Sequence, residues 1–476
     1  MAQPSANIVR LQKKDDGPQE QALYEVRKAI HPRAVHGWFA AWRWLAVWAT
    51  QLVFYGAAWL QWNGRQAVLF DIADRKFYIF GLVFWPQDII YLAVLLIIAA
   101  LSLFLFTAVA GRLWCGYACP QTVYTEIFMW IERRIEGDRN ARIKLDQEPV
   151  SPRKLRLRTA KHLAWAAFAL WTGFTFVGYF TPIRELLHEL AVALGLADAP
   201  GAGLGPWETF WALFYGFATY GNAGWMREQV CTYMCPYARF QSAMFDKDTL
   251  IISYDPSRGE PRAKLSVKGR REGAGDCVDC GICVQVCPTG IDIRDGLQYQ
   301  CIGCAACIDG CDQVMDRVDR PRGLIRYSTA RALEGGSTRI FRPRVLIYSG
   351  ILAGIVAAAA AGLWLRVPLK VDVIRDRAAI AREVEGGQVE NVYRLQVMNT
   401  TETSREFEIS VTGAPTLQLA TDARIFVAAT ESRMVPVRVR AQPGGLGAGT
   451  HKIRFGVRAV DDGRVAVQEK SVFVMR

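Results

Sequence analysis

Apolar residues are concentrated in five long segments of this chain, separated by polar stretches. The segments cover residues 37–60, 89–111, 162–182, 207–226 and 345–365. Each approaches the roughly 20 apolar residues that an α-helix needs to cross a bilayer. Tryptophans lie near the segment ends, as in the aromatic belts of membrane proteins. The pattern predicts a multidomain membrane protein whose α-helical membrane domain has about five transmembrane helices. The fourth is the weakest, because Glu208 and Asn222 lie near its ends.

The pattern changes to short alternating runs after residue 366. Residues 392–397, 435–439 and 453–457 alternate between apolar and polar, and turn-forming residues such as Pro443-Gly444-Gly445 separate the runs. Short alternating strands divided by turns are typical of a β-sandwich. We therefore predict a C-terminal immunoglobulin-like domain over 366–476. It has no catalytic constellation, so a docking or spacing role is expected.

The charge pattern orients the predicted helices. Residues 112–161 carry 11 Lys and Arg and residues 227–344 carry 18, whereas the intervening loops 61–88 and 183–206 carry three and one. The positive-inside rule places the basic loops and the N-terminal segment in the cytoplasm, and an odd number of helices then exports the C-terminal domain. We expect a multi-pass protein of the bacterial inner membrane with a periplasmic C-terminal domain. The first apolar segment is long enough to remain as an anchor, and no cleavable signal is apparent. The net charge of +12 then reflects topology and contact with the lipid bilayer, with no nucleic-acid partner expected.

A doubled cysteine run carries the most specific chemistry. Cys277-x-x-Cys280-x-x-Cys283-x-x-x-Cys287-Pro288 is followed by Cys301-x-x-Cys304-x-x-Cys307-x-x-x-Cys311. In the two-cluster ferredoxin pattern, each fourth cysteine ligates the other cluster. We predict a ferredoxin-like insertion with two 4Fe-4S clusters, one on Cys277, Cys280, Cys283 and Cys311, the other on Cys301, Cys304, Cys307 and Cys287. A zinc site would pair its cysteines across longer loops. Asp312 follows Cys311 where the pattern has proline, which removes no ligand.

A second cysteine pattern occurs twice. Cys115-x-Tyr-x-Cys119-Pro follows the second apolar segment, and Cys231-x-Tyr-x-Cys235-Pro follows the fourth. If the motif is helical, its two cysteines share one face. If instead its proline begins a helix, Cys119 and Cys235 lie at the N-cap, where the helix terminus favours the thiolate. Side by side, the two motifs would gather four thiolates, which select Cu(I), zinc or iron–sulfur. The alternatives are ordinary buried cysteines, a structural metal, and a redox-active or transient metal site.

Other cofactor motifs are missing from the sequence. There is no phosphate-binding loop, and neither a nicotinamide nor a flavin fingerprint is present. The electron donor is therefore expected to be another protein or a quinol.

The chain resembles the cytochrome c oxidase accessory proteins, the FixG/CcoG-like membrane polyferredoxins. The resemblance covers nearly the whole length and includes FGLVFWPQD at 80–88, GRLWCGYACPQT at 111–122, and EGGQVEN at 385–391. It implies a role in assembling a cbb-type haem–copper oxidase. It also implies that Cu(II) is reduced to Cu(I) and passed to copper chaperones and oxidase assembly factors. By position, the catalytic and copper-binding residues would be Cys115, Cys119, Cys231 and Cys235.

The expected domain organisation follows from these patterns. It comprises a cytoplasmic segment 1–36, a membrane domain 37–250, a two-cluster ferredoxin domain 251–344, a fifth transmembrane helix 345–365 and the C-terminal domain 366–476. The leading function is a probable cupric reductase with copper as a transient substrate. A quinol dehydrogenase and a non-enzymatic metal carrier or scaffold are the alternatives. A homodimer is left open.

Overall fold

The structure is a computed structural model that describes residues 30–198, 203–264, 273–376, 381–414 and 416–475. Its first part is a set of long helices with a small group of strands between the first two. In chain order the elements are α1 (Trp38–Ala57), β1 (Gln61–Trp62), β2 (Arg65–Gln66), β3 (Val68–Asp71), β4 (Lys76–Ile79), β5 (Leu82–Phe84), a 3₁₀ turn (Pro86–Asp88), α2 (Ile89–Ala110), α3 (Leu113–Tyr117), α4 (Pro120–Glu136), α5 (Arg139–Gln147), α6 (Pro152–Val177), α7 (Ile183–Ala193) and α8 (Pro206–Thr219). Two π-helical segments (Tyr220–Met226 and Val230–Met234) and α9 (Pro236–Met244) complete this part.

Two of the described helices are long and apolar enough to cross a membrane. They are Pro86–Ala110, with a mean hydropathy of 3.0, and the later helix Pro343–Trp364, with 2.1. Almost none of either apolar stretch is buried within the protein, unlike the core helix of a soluble domain. The other three predicted segments are also helical, but none of them combines sufficient length with sufficient hydropathy; α6, for example, has 26 residues but begins with a basic, polar stretch. The fourth differs most, because α8 covers only 14 residues before the backbone becomes π-helical.

The ferredoxin unit follows α9 and is compact. It contains β6 (Ile251–Tyr254), α10 (Pro256–Gly259), α11 (Ile282–Gln285), a 3₁₀ turn (Ile293–Asp295), α12 (Ala306–Arg317), β7 (Ile325–Ser328) and α13 (Ala330–Leu333). Strands β6 and β7 pair antiparallel, from Ile251 opposite Ser328 to Tyr254 opposite Ile325. Five of the cysteines pack with Ile252, Ile308 and Leu324 in one apolar core. The long helix α14 (Pro343–Trp364) then leads to the C-terminal domain.

The C-terminal domain is a β-sandwich, as the alternating runs predict. Its strands are β8 (Leu369–Arg375), β9 (Arg382–Val384), β10 (Gln388–Asn399), β11 (Arg405–Thr412), β12 (Leu417–Leu419), β13 (Arg424–Val427), β14 (Ser432–Ala441), β15 (Gly449–Ala459) and β16 (Ala466–Met475). One sheet has the order β12-β14-β10-β8, with β9 also on β10, and the other has the order β13-β11-β15-β16. Both inner faces contribute to one core, in which the Tyr393 and Phe455 rings meet edge to face at 4.9 Å.

The small strands β1–β5 anchor this sandwich to the helical part. Met398 of β10 packs with Tyr78, Val83 and Trp85 in one buried cluster. The buried carboxylate of Asp88 pairs with Arg366 at 2.7 Å and also with Lys370. The sandwich is therefore docked at the N-terminal end of α2, whereas the ferredoxin unit lies at its C-terminal end.

Candidate iron–sulfur and thiol centres

The eight cysteines of the doubled run surround two small internal cavities. One cavity is walled by Cys277, Cys280, Cys283 and Cys311, together with apolar side chains such as Met315 and Leu324. The other is walled by Cys287, Cys301, Cys304 and Cys307, with Cys283 touching both. These are the two ligand sets that the spacing predicts. Four thiols around an apolar cavity fit a 4Fe-4S cluster, and we refer to the two positions as the distal centre (the Cys277 set) and the proximal centre (the Cys301 set).

Helix α12 explains why Cys311, the last cysteine of the second run, lies at the cavity of the first run. Cys307 and Cys311 are four residues apart on this helix, so they lie on one face, one turn from each other. Helix α12 packs closely on α11, and a Cβ added at Gly310 would lie 3.3 Å from Val286. Cys307 therefore reaches the proximal centre and Cys311 the distal one.

Equivalent residues begin the two cysteine helices. Gly281 has φ 65° and Ala305 has φ 60°, so both are left-handed, and each precedes a helix that carries a ligand. Asp312, which replaces the expected proline, has a structural task of its own. Its carboxylate accepts a hydrogen bond from the Gly323 amide at 2.9 Å and so ties α12 to the strand that follows.

Burial raises the pKa of the ligand thiols. It raises the pKa of Cys283 to about 11 and that of Cys311 to about 12. Without a cluster these thiols are protonated at neutral pH, so cluster binding must displace protons. Cys280 is the exposed cysteine among the twelve, which puts the distal centre nearest to the protein surface.

The two repeated motifs place their cysteines at helix boundaries. Cys119 is the N-cap of α4 and Cys235 is the N-cap of α9, each followed by proline at the first helical position. Cys115 lies in α3 and Cys231 in the second π-helical segment. The structure thus selects the N-cap alternative for both motifs. The expected fall in pKa does not follow for Cys119, because burial raises its pKa more than the amides of Gln121 and Thr122 lower it.

All four of these cysteines lie close together, and we call them the thiol quartet. After burial, the proximity of Cys119, Cys115 and Cys235 further raises the pKa of Cys231 to about 12. Burial and the neighbouring Cys119 raise the pKa of Cys115 to about 11, although Arg112 lowers it. The Cys115 thiol also donates to the Gln241 side chain on α9 at 3.4 Å, so the first motif touches the helix that follows the second. In the described part of the chain, no three His, Cys, Asp or Glu side chains are arranged to hold one metal ion.

The thiol quartet lies against the proximal centre. A Cβ added at Gly116, inside the first motif, would lie 2.8 Å from the Cα of Cys304. Arg112 donates to the carbonyl oxygen of Cys301 at 3.1 Å. Burial lowers the pKa of Arg112, and the nearby sulfurs of Cys115 and Cys231 offset this only in part. The quartet and the proximal ligands are therefore in contact through Arg112 and through the backbone at Gly116.

Helix α1 is fastened to the same place. Buried Arg43 donates to the carbonyl oxygen of Cys304 at 2.6 Å. The Asp309 carboxylate accepts hydrogen bonds from the amides of Phe39 and Ala40 at 3.2 and 2.7 Å, which caps α1 from the ferredoxin unit. The sequence predictions did not assign Arg43, Arg112, Gly116 or Asp309 to a site. An arginine inside an apolar helix was the available signal for Arg43.

A buried ion network supports the second motif. Glu132 pairs with Arg142 at 2.8 Å, Arg227 at 3.1 Å and Lys161 at 3.5 Å. Burial alone would raise the pKa of Glu132, but Arg227, Arg142 and Lys161 hold it below its usual range. Because Arg227 lies between the two π-helical segments, directly after Met226 and three residues before Val230, the network fixes the backbone that leads to Cys231.

Comparison with known proteins agrees with this arrangement. A family model described as "4Fe-4S dicluster domain" matches residues 226–330, and one described as "4Fe-4S binding domain" matches 92–137. A third, described as "IG-like fold at C-terminal of FixG, putative oxidoreductase", matches 359–476. The fold, the cysteine centres and these matches define a membrane-associated iron–sulfur electron-transfer protein.

Its relatives identify the family. The chain is 40% identical over 463 residues to the nitrogen fixation protein FixG of Rhizobium meliloti, covering 88% of this chain and 87% of that protein. It is 40% identical over 442 residues to protein RdxA of Cereibacter sphaeroides, covering 89% and 92%. The chain belongs to the FixG family. A crystal structure of a FixG-related protein from Vibrio parahaemolyticus matches 23% of this chain and 97% of its own length, at 26% identity and a TM-score of 0.21.

Proposed function

We propose that this protein reduces Cu(II) to Cu(I) at the thiol quartet and so serves the assembly of a cbb-type cytochrome oxidase. The observation that carries the proposal is the contact between the quartet and the proximal centre through Gly116 and Arg112. The reduction needs one electron, which an iron–sulfur cluster supplies when bound. Thiolates stabilise the soft Cu(I) product more than Cu(II) and so favour the reaction. Copper chaperones and oxidase assembly factors are the partners that would take the product.

The proposal includes a topology. Five helices cross the inner membrane, with the ferredoxin unit and all twelve cysteines in the cytoplasm and the β-sandwich in the periplasm. The positive charge of 112–161 and 227–344 supports this orientation. Cysteines are kept reduced on that side, as a thiol-based copper site requires.

A second candidate is a third iron–sulfur cluster held by the quartet. The match of the "4Fe-4S binding domain" model to 92–137, which contains Cys115 and Cys119, favours it. The iron content separates the two candidates, since two four-iron clusters give about eight irons per chain and three give about twelve.

The test is reduction of copper by purified protein. The full chain is prepared anaerobically, reduced with dithionite, freed of excess reductant, and mixed with Cu(II) and a Cu(I)-specific chelator. We expect the absorbance of the oxidised clusters to return as the Cu(I)–chelator colour appears, with about one Cu(I) per electron stored. The same protein oxidised beforehand is the control and should give no colour. Clusters that remain reduced in the presence of Cu(II) would contradict the proposal.

A further inference from the structure

A cleft of about 610 Å³ lies between α1, α4 and the ferredoxin unit. Ala40, Ala41 and Trp44 of α1 form one wall, and Met129 and Trp130 of α4 form another. The volume lies in the range of sites for small organic molecules. A tryptophan on each helix gives the cleft flat apolar surfaces that suit a planar ring.

The third wall of the cleft belongs to the proximal centre. It includes Cys304 itself and Pro288, the residue after Cys287, so both ligand loops of that centre are exposed to the cleft. Cys231 of the thiol quartet also lines it. A molecule in the cleft would therefore be in contact with backbone that holds the proximal ligands, which is the position for an electron donor.

The cleft adjoins an apolar helix surface. On α1, Trp38, Trp48 and Leu52 are exposed by 70%, 68% and 72%, and such a surface on a membrane-associated protein faces lipid. A lipid-soluble molecule can reach the cleft along this helix without crossing water.

Polar groups in the cleft suit an acidic hydroxyl. The Glu126 carboxylate, with 14% of its side chain exposed, lies 3.5 Å from Arg133 and lines the cleft together with Arg43. Arg43 is hydrogen-bonded to the Cys304 carbonyl oxygen. A carboxylate can accept the proton of a bound hydroxyl, and an arginine beside the ligand loop can hold the oxygen that remains.

An anionic lipid headgroup fits the cleft less well. Its wall carries several arginines, but most of them already face a partner. Arg142 and Arg227 pair with Glu132, and Arg133 pairs with Glu126. The positive charge is thus partly compensated, and the apolar side chains of Trp44, Met129 and Trp130 suit a ring better than a phosphate.

We propose that this cleft binds a lipid-soluble para-hydroquinone and is the site where electrons enter the protein. The hydroquinone loses both O–H hydrogens and becomes the quinone. Its two electrons pass singly to the iron–sulfur centres held by the Cys301 and Cys277 sets. Its two protons leave through Glu126 to solvent. The proposal deepens the proposed function by naming the donor; it rests on electron transfer and not on copper as the acceptor.

The first readout is binding. Oxidised decylubiquinone carrying a photoreactive azide is irradiated with the full-length protein in nanodiscs, and the labelled peptides are mapped by mass spectrometry. We expect label on α1 and α4 near Trp44 and Trp130, displaced by excess decylubiquinone. Trp130→Ala should weaken labelling at least about fivefold, whereas Trp211→Ala, an equally exposed tryptophan outside the cleft, should not change it. Labelling that falls on other helices, or that only anionic lipid displaces, would overturn the site.

The second readout is cluster reduction by decylubiquinol, followed anaerobically as loss of visible absorbance. We expect about one quinol consumed per two clusters reduced. Glu126→Gln should slow the reduction by about tenfold to a hundredfold, in the range for loss of a proton acceptor, with quinone labelling retained. Glu185→Gln, an exposed acid on α7, is the matched control. An unaffected rate in Glu126→Gln would remove this residue as the acceptor and overturn the proposal as stated.

The two proposals can fail separately. If dithionite-reduced protein reduces Cu(II) but decylubiquinol never reduces the clusters, the cleft proposal is wrong and the copper proposal stands. If decylubiquinol reduces the clusters and Cu(II) does not reoxidise them, the cleft is the donor site and the copper proposal is wrong.

Discussion

Replacing Gly116 by alanine tests whether the thiol quartet and the proximal centre form one unit. Gly116 lies in the first cysteine motif and packs against the backbone of the loop that carries Cys304. An added Cβ would lie 2.8 Å from the Cα and N of Cys304 and 2.8 Å from the carbonyl carbon of Gly303. All three atoms are backbone, so no rotamer change relieves the overlap.

The size of the effect follows from these distances. Ordinary van der Waals contact begins near 3.4 Å, so the two backbones must separate by about 0.6 Å. Overpacking of this kind costs about 1–3 kcal/mol. The strain falls on the loop that carries Cys301 and Cys304, because the three atoms nearest to the added Cβ all belong to Gly303 and Cys304. We expect the proximal cluster to be lost or altered and copper reduction to slow, with the distal cluster retained.

The assay is electron paramagnetic resonance of the reduced protein, combined with iron analysis and the copper reduction rate. Gly221→Ala is the matched control, because a Cβ at Gly221 meets nothing within 4 Å. Its spectra and rates should equal those of the unaltered protein. A Gly116→Ala protein with both cluster signals intact and an unchanged rate would refute the contact on which the proposed function depends.

Three further predictions concern the thiols, the ion network and the topology. Because burial raises the pKa of Cys115 to about 11, its thiolate is scarce at pH 8, and iodoacetamide should modify it in metal-free protein about two orders of magnitude more slowly than an ordinary thiol. The modification rate, followed by mass spectrometry, should rise roughly tenfold per pH unit up to the raised pKa. A rate that does not change with pH would count against this prediction. Glu132→Gln leaves Arg142, Arg227 and Lys161 facing a neutral amide, so it should lower the free energy of unfolding by about 3–5 kcal/mol and lower the unfolding temperature. The control is Glu334→Gln, which removes an exposed pair with Lys247 and should change the free energy of unfolding by less than about 1 kcal/mol. Since the pKa of Glu132 is lowered, this stabilisation should be complete above the unfolded pKa and fade as the pH falls through the lowered one. A reporter fused after Arg476 should be active only outside the cytoplasm and one near Asp312 only inside; the reverse would overturn the proposed orientation.

The parts of the fold that can be predicted from the sequence are those that depend on residues close together along the chain. Cysteine spacing determines which thiols can share a centre, and the cavities around the Cys277 and Cys301 sets follow it. Alternating apolar residues give the sandwich strands directly. Uniform apolar runs give α2 and α14, which qualify as membrane spans.

The parts that could not be predicted depend on contacts distant in sequence. Asp309 caps α1 from about 270 residues away, and no local pattern announces such a cap. The π-helical segment Tyr220–Met226 occurs where the chain packs beside Trp165 and Phe128, which hydropathy does not reveal. One local signal was missed: Asn63-Gly64, with φ 46° and 79°, is a hairpin turn, and it joins β1 to β2 within the loop 61–88.

The central claim is that the thiol quartet, fed by the proximal centre, is where copper is reduced. The most direct measurement is iron content and Cu(II) reduction in a variant with Cys115, Cys119, Cys231 and Cys235 all changed to serine. The account predicts that about eight irons per chain remain, because the doubled run supplies complete ligand sets, and that copper reduction is lost, because a serine oxygen is a harder ligand than thiolate. Replacing either pair alone should cost nearly as much as replacing both, since ligands of one site are not additive. Undiminished copper reduction in the quadruple variant would contradict the claim, and a loss of about four irons would make the quartet a third cluster site instead.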